Sequence, residues 1–191
     1  NRGFTKEEGE GRVRRAEEVT VNDMNGLFNT VSNGVYVNTG NSIMTNGDTT
    51  ILAVGSYKCS EGTCATSSSM LYTVDLNGEV KCVEDNASCV LDAENDRRVM
   101  QVYGTGSGTL ILRALTFDKG YTDGSGGGVI IGYEAIVDLE LLVFSNNRAP
   151  SSDFGGGAID VDGSGTFVNV FSTSFIGNTA HSGNGHDIFR S

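Results

Sequence analysis

The feature that most restricts how this chain can fold is an internal repeat. Segments Met70 to Arg98, Val99 to Gly127, Gly128 to Gly156 and Gly157 onward, set over one another at a constant step of 29 residues, bring like residues into columns. Tyr72, Gln101, Ile130, Ile159 and Ile188 make one column, and Val83, Leu112, Leu141 and Val170 make a second. A third, carrying Phe117, Phe144 and Phe175, drifts by two residues either way, as small turn insertions between stacked strands produce. Glycine clusters keep step as well, with Gly126 to Gly128 above Gly155 to Gly157. A period of this length marks units that cannot bury an apolar face alone and do so by stacking.

The apolar runs within each repeat are short: Thr49 to Val54, Thr109 to Leu112, Val129 to Ile131, Ile136 to Phe144 and Thr166 to Phe171. Their β-branched and aromatic residues and flanking glycines favour strand. Helical patterns are too scarce for an alternating parallel α/β sheet. Parallel stacking without helices leaves the solenoid, in which equivalent strands of successive coils pair at about 4.8 Å. The expected fold class is therefore all-β, a right-handed parallel β-helix of about five to six coils, with residues 20–191 as one domain. The single proline and the 38% hydrophobic content exclude a Pro-rich disordered chain.

Ahead of the repeats, residues 1–19 read as a charged arm, with Arg12, Arg14 and Arg15 close enough to suggest a processing site, although a solvated charge run explains them more simply. Thr20 followed by Asp23 fits a capping box, and Met24, Leu27, Phe28 and Val31 repeat at helical spacing. A helix over about 20–32 is expected to lie across the exposed end of the first coil, protecting it from edge-to-edge pairing.

The segments GGGVI (Gly126 to Ile130) and GGAI (Gly156 to Ile159), with FSNN (Phe144 to Asn147) and FIGN (Phe175 to Asn178), resemble the GGAI and FxxN repeats of polymorphic-outer-membrane-protein-type β-helices, within the wider pectin-lyase-like fold. The stretch Gly47 to Cys59 is similar to the opening coil of such domains. The resemblance spans roughly residues 45 to 191 and implies the fold; that fold hosts lyases, hydrolases, epimerases, adhesins and inert structural modules alike. In FxxN the Phe is expected to stack inward while the Asn satisfies turn backbone or forms a ladder with the Asn one coil away. The segment Phe117 to Gly120 reads FDKG, so no Asn rung is expected there.

The cysteines come as Cys59/Cys64 and Cys82/Cys89. An even count at short spacing reads as disulfides in an oxidising compartment; three pairings are open and the two local ones are favoured. A four-cysteine zinc site is the competing reading, with spacings looser than the usual knuckle. Asn86-Ala87-Ser88 is a glycosylation sequon between the second cysteine pair, fitting a secreted, cell-surface or other lumenal chain. A net charge of −11, with none of the excess in residues 1–19, disfavours nucleic acid and anionic lipid as partners. No apolar run has the length for direct membrane insertion.

Catalysis by such a fold needs convergent carboxylates. Asp160 and Asp162, alternate residues on one strand face, are the best acidic pair. The DVDGSG string has the look of a calcium loop, but its twelfth position is Phe171 rather than Glu, so a solvated strand end and a glycine turn is the expected reading and calcium the competing one. Asp118, Asp123, Asp138 and Glu140 fall in different columns. Arg113 and Arg148 read as surface charges rather than a lyase base, and His181 and His186 as turn residues. Without a convergent catalytic set and with no cofactor signature, the expected function is a non-catalytic secreted or lumenal structural module, assembly subunit or adhesion surface, meeting other protein chains through its terminal coil or flat faces. The alternative is a carbohydrate-binding or lyase-like module acting on acidic polysaccharide, with Tyr121 and Tyr133 as sugar platforms.

Overall fold

The computed structural model describes residues 18–31, 48–65, 68–74, 77–150, 155–181 and 186–190. The charged stretch 1–17, with Arg12, Arg14 and Arg15, lies outside the described residues.

The chain forms an all-β parallel solenoid of five coils. Strand β1 (Glu18–Val21) and helix α1 (Met24–Val31) precede the first coil, which comprises β2 (Asp48–Leu52), β3 (Gly55–Lys58) and β4 (Ser69–Val74). The second coil holds β5 (Gly78–Cys82), β6 (Cys89–Asp92) and β7 (Arg98–Tyr103), and the third β8 (Thr109–Arg113), β9 (Leu115–Asp118) and β10 (Val129–Gly132). The fourth adds a short extra strand: β11 (Ile136–Glu140), β12 (Val143–Ser145), β13 (Arg148–Ala149) and β14 (Ile159–Val161). The fifth repeats that order with β15 (Phe167–Phe171), β16 (Ser174–Ile176), β17 (Thr179–Ala180) and β18 (Ile188–Arg190). Stacking yields a first sheet β1-β2-β5-β8-β11-β15, a second β3-β6-β9-β12-β16, a third β4-β7-β10-β14-β18 and the small pair β13-β17. Every strand pairing is parallel, joining residues about one coil apart in sequence.

The core is the space the three sheets enclose. Val80, Leu112 and Leu139 stack inward from the first sheet, Leu91, Phe117 and Phe144 from the second, and Leu71, Met100, Val129 and Ile159 from the third, all buried. Phe117 and Phe144 lie ring on ring at 4.9 Å, and Phe144 and Phe175 at 5.5 Å. The drifting phenylalanine column is thus a true stack, because turn-length changes elsewhere in the coil absorb the drift.

The other two columns need correction. Ile130 pairs with Asp160, not Ile159, which lies beside Val129, because the step from β10 to β14 is 30 residues. In the first sheet Leu112 sits between Val80 and Leu139, and Leu139 beside Val170. Val83 lies beyond the end of β5, 59% exposed, and Leu141 forms a corner at φ 54°. The cause is turn length: five residues join β7 to β8 but three join β10 to β11, so the first-sheet step shortens to 27.

Corners recur in register. Ala114, Leu141 and Ser172 each take a positive φ between the first and second sheets, and Lys119, Asn146 and Gly177 do so after the second. The latter three are the third residues of FDKG, FSNN and FIGN. The left-handed step turns the fourth residue inward, so Asn147 and Asn178 are buried. Asn147 Nδ2 donates to Asn178 Oδ1 at 3.0 Å, and Asn178 Oδ1 also accepts the Asn147 backbone N–H. In the coil below, the Gly120 N–H donates to Asn147 Oδ1 at 2.8 Å. A Cβ on Gly120 would lie 2.0 Å from the Gly127 carbonyl oxygen, so the coil that lacks an Asn rung has no room for one.

At the N-terminal end the expected helix over 20–32 is shorter. Residues 18–21 are strand, paired in parallel with β2, and the helix begins at Met24. Asp23, rather than Thr20, caps it, accepting the Gly26 N–H at 2.7 Å. Met24, Leu27, Phe28 and Val31 are buried, and α1 packs against β1, β2 and β4, closing that end of the core. Tyr57 ties the closure down by donating to the carbonyls of Val21 and Ala53 at 3.1 and 2.8 Å. Burial pushes its phenol up to about 12.

Candidate functional site

The expected site residues are spread around the solenoid. Asp118, in the outward column of the second sheet, accepts from Ser145 Oγ at 2.6 Å and from Asn146, and it shares Lys119 with the buried Asp92. These hydrogen bonds hold the Asp118 carboxyl below its usual range although burial opposes them. Asp123 accepts from the Tyr121 hydroxyl at 2.8 Å, and Asp138 from Asn169 at 2.8 Å. Arg113 bridges Asp85 and Glu140 on the outer face of the first sheet, at 3.1 and 3.5 Å. His181 and His186 are exposed, and His186 Nδ1 accepts the Ala180 N–H. Among the described residues, no group of three His, Cys, Asp or Glu side chains is placed to hold a metal ion.

Asp160 and Asp162 do share the outer face of the third sheet, but the first is not solvated. Asp160 is 3% exposed, whereas Asp162 is open to solvent. The turn Thr122 to Gly126 of the coil below folds over Asp160: a Cβ on Gly126 would stand 3.1 Å from its Cβ, and Ser125 donates to its carboxylate. Arg98 locks this turn, its Nε donating to the Gly126 carbonyl at 2.7 Å and its Nη2 to Thr122 Oγ1 at 3.2 Å. Burial pulls the Arg98 guanidinium below its usual value, against the pull of Tyr103 and Asp160. Desolvation, with repulsion from Asp162, raises the Asp160 carboxyl to about 6 in spite of Arg98 and Ser125, and its Oδ1 has no hydrogen-bond partner.

That shift sets a pH dependence. The folded protein holds the Asp160 proton up to about pH 6, while the unfolded chain releases it near the ordinary carboxylate value of 3.8. The native state binds the extra proton between those limits, so this group's contribution to stability declines as pH rises through them, by about 2–3 kcal/mol in all. Asp160→Asn is therefore expected to raise the urea midpoint at pH 7.5 and to match the parent near pH 4. Parallel midpoint curves for parent and variant across that range would contradict the assignment.

Beside this cluster stands an aromatic ladder; the sequence marks Tyr133 as a sugar platform and Tyr72 only as a member of a repeat column. Tyr72 and Tyr103 meet edge to face at 5.8 Å, and Tyr103 and Tyr133 at 4.8 Å. Tyr133, at φ 54° in the turn after β10, is 67% exposed. The available signal was the spacing of 31 and 30 residues between the three tyrosines. Tyr121 belongs to a different part of the surface, in an isolated bridge with Arg148.

The last coil leaves apolar side chains uncovered among the described residues. Among the described residues no strand pairs with the outer edge of β15, β16 or β18, and at the other end none pairs with the outer edge of β1, β3 or β4. Val170 and Ile188, which continue the inward columns of Leu139 and Ile159, are 39% and 43% exposed, and Phe167, Phe171 and Ile176, in the outward columns of Ile136, Glu140 and Ser145, are 62%, 52% and 57% exposed. A cleft of about 240 Å³ opens there between Ile159, Val161, Val168, Val170 and Ile188. The opposite end is closed by β1 and α1. Among the described residues, α1 brings four apolar side chains to one end, and no described element covers the apolar columns of the fifth coil.

Disulfides join Cys59 to Cys64 and Cys82 to Cys89, with Cα separations of 5.6 and 5.5 Å. No helix among the described residues is long and apolar enough to cross a membrane. The chain matches no family model, no curated protein and no solved structure.

Proposed function

We propose that this chain is a non-catalytic secreted or lumenal β-helix module that serves as an assembly subunit, joining another polypeptide through its open last coil. The observation that carries the proposal is the contrast between the two ends: one core end is sealed by a helix, while the other exposes stacked apolar columns framed by three strand edges. Unpaired edges beside an exposed apolar patch are the features a strand-adding partner completes. Asp118, Asp123, Asp138 and Glu140 are each engaged in hydrogen bonds or ion pairs that hold turns or sheet faces, which supports the non-catalytic reading. The GGAI and FxxN segments support membership of the pectin-lyase-like class with polymorphic-outer-membrane-protein-type repeats, and the two disulfides an oxidising compartment.

In isolation the open coil finds a second copy of itself. Because α1 covers the apolar core at the N-terminal end, the exposed apolar columns of the last coil find their match in a second last coil, and contact between two such ends is two-fold and closes at the dimer. Light scattering is expected to give twice the chain mass of 20.1 kDa. Val170→Lys with Ile188→Lys returns the monomer, and its melting temperature matches that of the parent diluted below its dissociation concentration, since each lysine extends its ammonium into solvent at the open end without disturbing the coil below. A parent that stays monomeric at the highest soluble concentration, or a double variant that still dimerises, overturns the proposal.

A further inference from the structure

We infer that Asn86 carries an N-linked glycan, making the loop between β5 and β6 a modification site on the flank of the solenoid. Asn86-Ala87-Ser88 is the only Asn-x-Ser/Thr triplet in the 191 residues, so a glycan of this type has one place to go. The structure puts the triplet at the tip of an exposed loop rather than in a strand. Asn86 Oδ1 accepts the Ser88 N–H at 3.2 Å, closing an Asx turn, and Ala87 takes φ 55° at its apex. This leaves the Asn86 Nδ2 on the outside, where its one protein contact is the exposed Glu84 carboxylate at 3.0 Å.

The loop is also anchored. Cys82 and Cys89, both buried, close its base as a disulfide, so the sequon is displayed on a fixed platform. The two features belong to one compartment: the oxidising lumen that forms the disulfide is where oligosaccharide is transferred to asparagine. The chemistry balances with a lipid-linked diphosphate oligosaccharide as co-reactant. Asn86 Nδ2 bonds to the anomeric carbon as the bond from that carbon to the diphosphate oxygen breaks; the lipid diphosphate departs and one amide proton passes to a base of the transferase. One N–H remains on Nδ2 and can still donate to Glu84.

Position gives the glycan a consequence. Val83, three residues away and 59% exposed, lies within its cover, as does the Arg113–Asp85 ion pair beside it. The loop belongs to the second coil and the open end to the fifth, about 14 Å further along the axis at the usual spacing between strands. The sugar therefore blocks side-by-side contact on that flank and leaves the end face clear.

The test is expression of the whole chain behind a cleavable leader in a eukaryotic secretory host, with all of the protein, cell-associated and secreted, analysed by intact mass before and after peptide N-glycosidase. Most chains are expected to carry a heterogeneous increment in hexose and N-acetylhexosamine units. The enzyme should collapse it to the polypeptide mass, with residue 86 read as Asp by peptide sequencing. Asn86→Gln and Ser88→Ala abolish the increment while both disulfides still form; Ser88→Thr retains it. A parent chain found at its unmodified mass, or an increment that survives in Asn86→Gln, overturns the inference. Occupancy is read from mass alone, so the result is independent of whether the open coil dimerises.

Discussion

Replacing Asn147 with leucine is expected to destabilise the solenoid by about 4 kcal/mol, seen as a lower urea midpoint at unchanged slope. The asparagine is fully buried, and its side chain serves three groups at once: it accepts from the Gly120 N–H, donates to the Phe117 carbonyl and donates to Asn178 Oδ1. Leucine has nearly the same volume, so the core is not emptied. What is lost is satisfaction: the Gly120 N–H stays buried without its acceptor, and the carbonyl and amide on either side each lose a donor. An unsatisfied buried group costs about 1–3 kcal/mol, and the effects accumulate along one ladder. Asn178→Leu should cost less, because that residue sits one coil nearer the open end. A midpoint unchanged by Asn147→Leu would mean that the ladder does not hold the coils in register.

Phe144→Ala is the second large effect, with an expected loss of about 3–5 kcal/mol from the cavity and the stacking contacts removed together. Phe144 is the middle ring of the stack, touching Phe117 on one side and Phe175 on the other, with no exposed surface. Phe175→Ala provides the comparison. Phe175 is the last ring and only partly buried, so its loss should cost clearly less in thermal melts of the two variants. Equal losses would indicate that the last coil is as well packed as the fourth. Because Asn178 also donates to the Phe144 carbonyl, the Phe144 and Asn147 effects belong to one connected region and are not expected to add.

The fold was legible because a solenoid writes its period into the chain. The phenylalanine column and the glycine clusters mark coil after coil, the glycines because neighbouring coils approach closely, with Gly127 over Gly157 at a step of 30 rather than 29: a Cβ on Gly127 would stand 2.7 Å from the Gly157 carbonyl oxygen. The constant step of 29 was less faithful in detail. It misplaced Val83 and Leu141 because corners and turns of different length, invisible to a fixed period, shift the register of each sheet separately. It also placed Asp160 at a solvated strand end, since alternation along a strand predicts which face a residue takes but not that a turn from the coil below will cover it. The tyrosine ladder escaped notice for a related reason: Tyr133 belongs to a turn and reaches Tyr103 only across the spacing between coils.

Amide hydrogen exchange in β15, β16 and β18, measured at low and high protein concentration, tests most directly whether the last coil is a docking surface. Exchange in these three strands should slow as concentration rises, remain fast in the Val170→Lys/Ile188→Lys variant, and leave β5 and β8 unaffected throughout. Rates in the last coil that are the same at every concentration, or protection that spreads evenly over all five coils, would contradict the account.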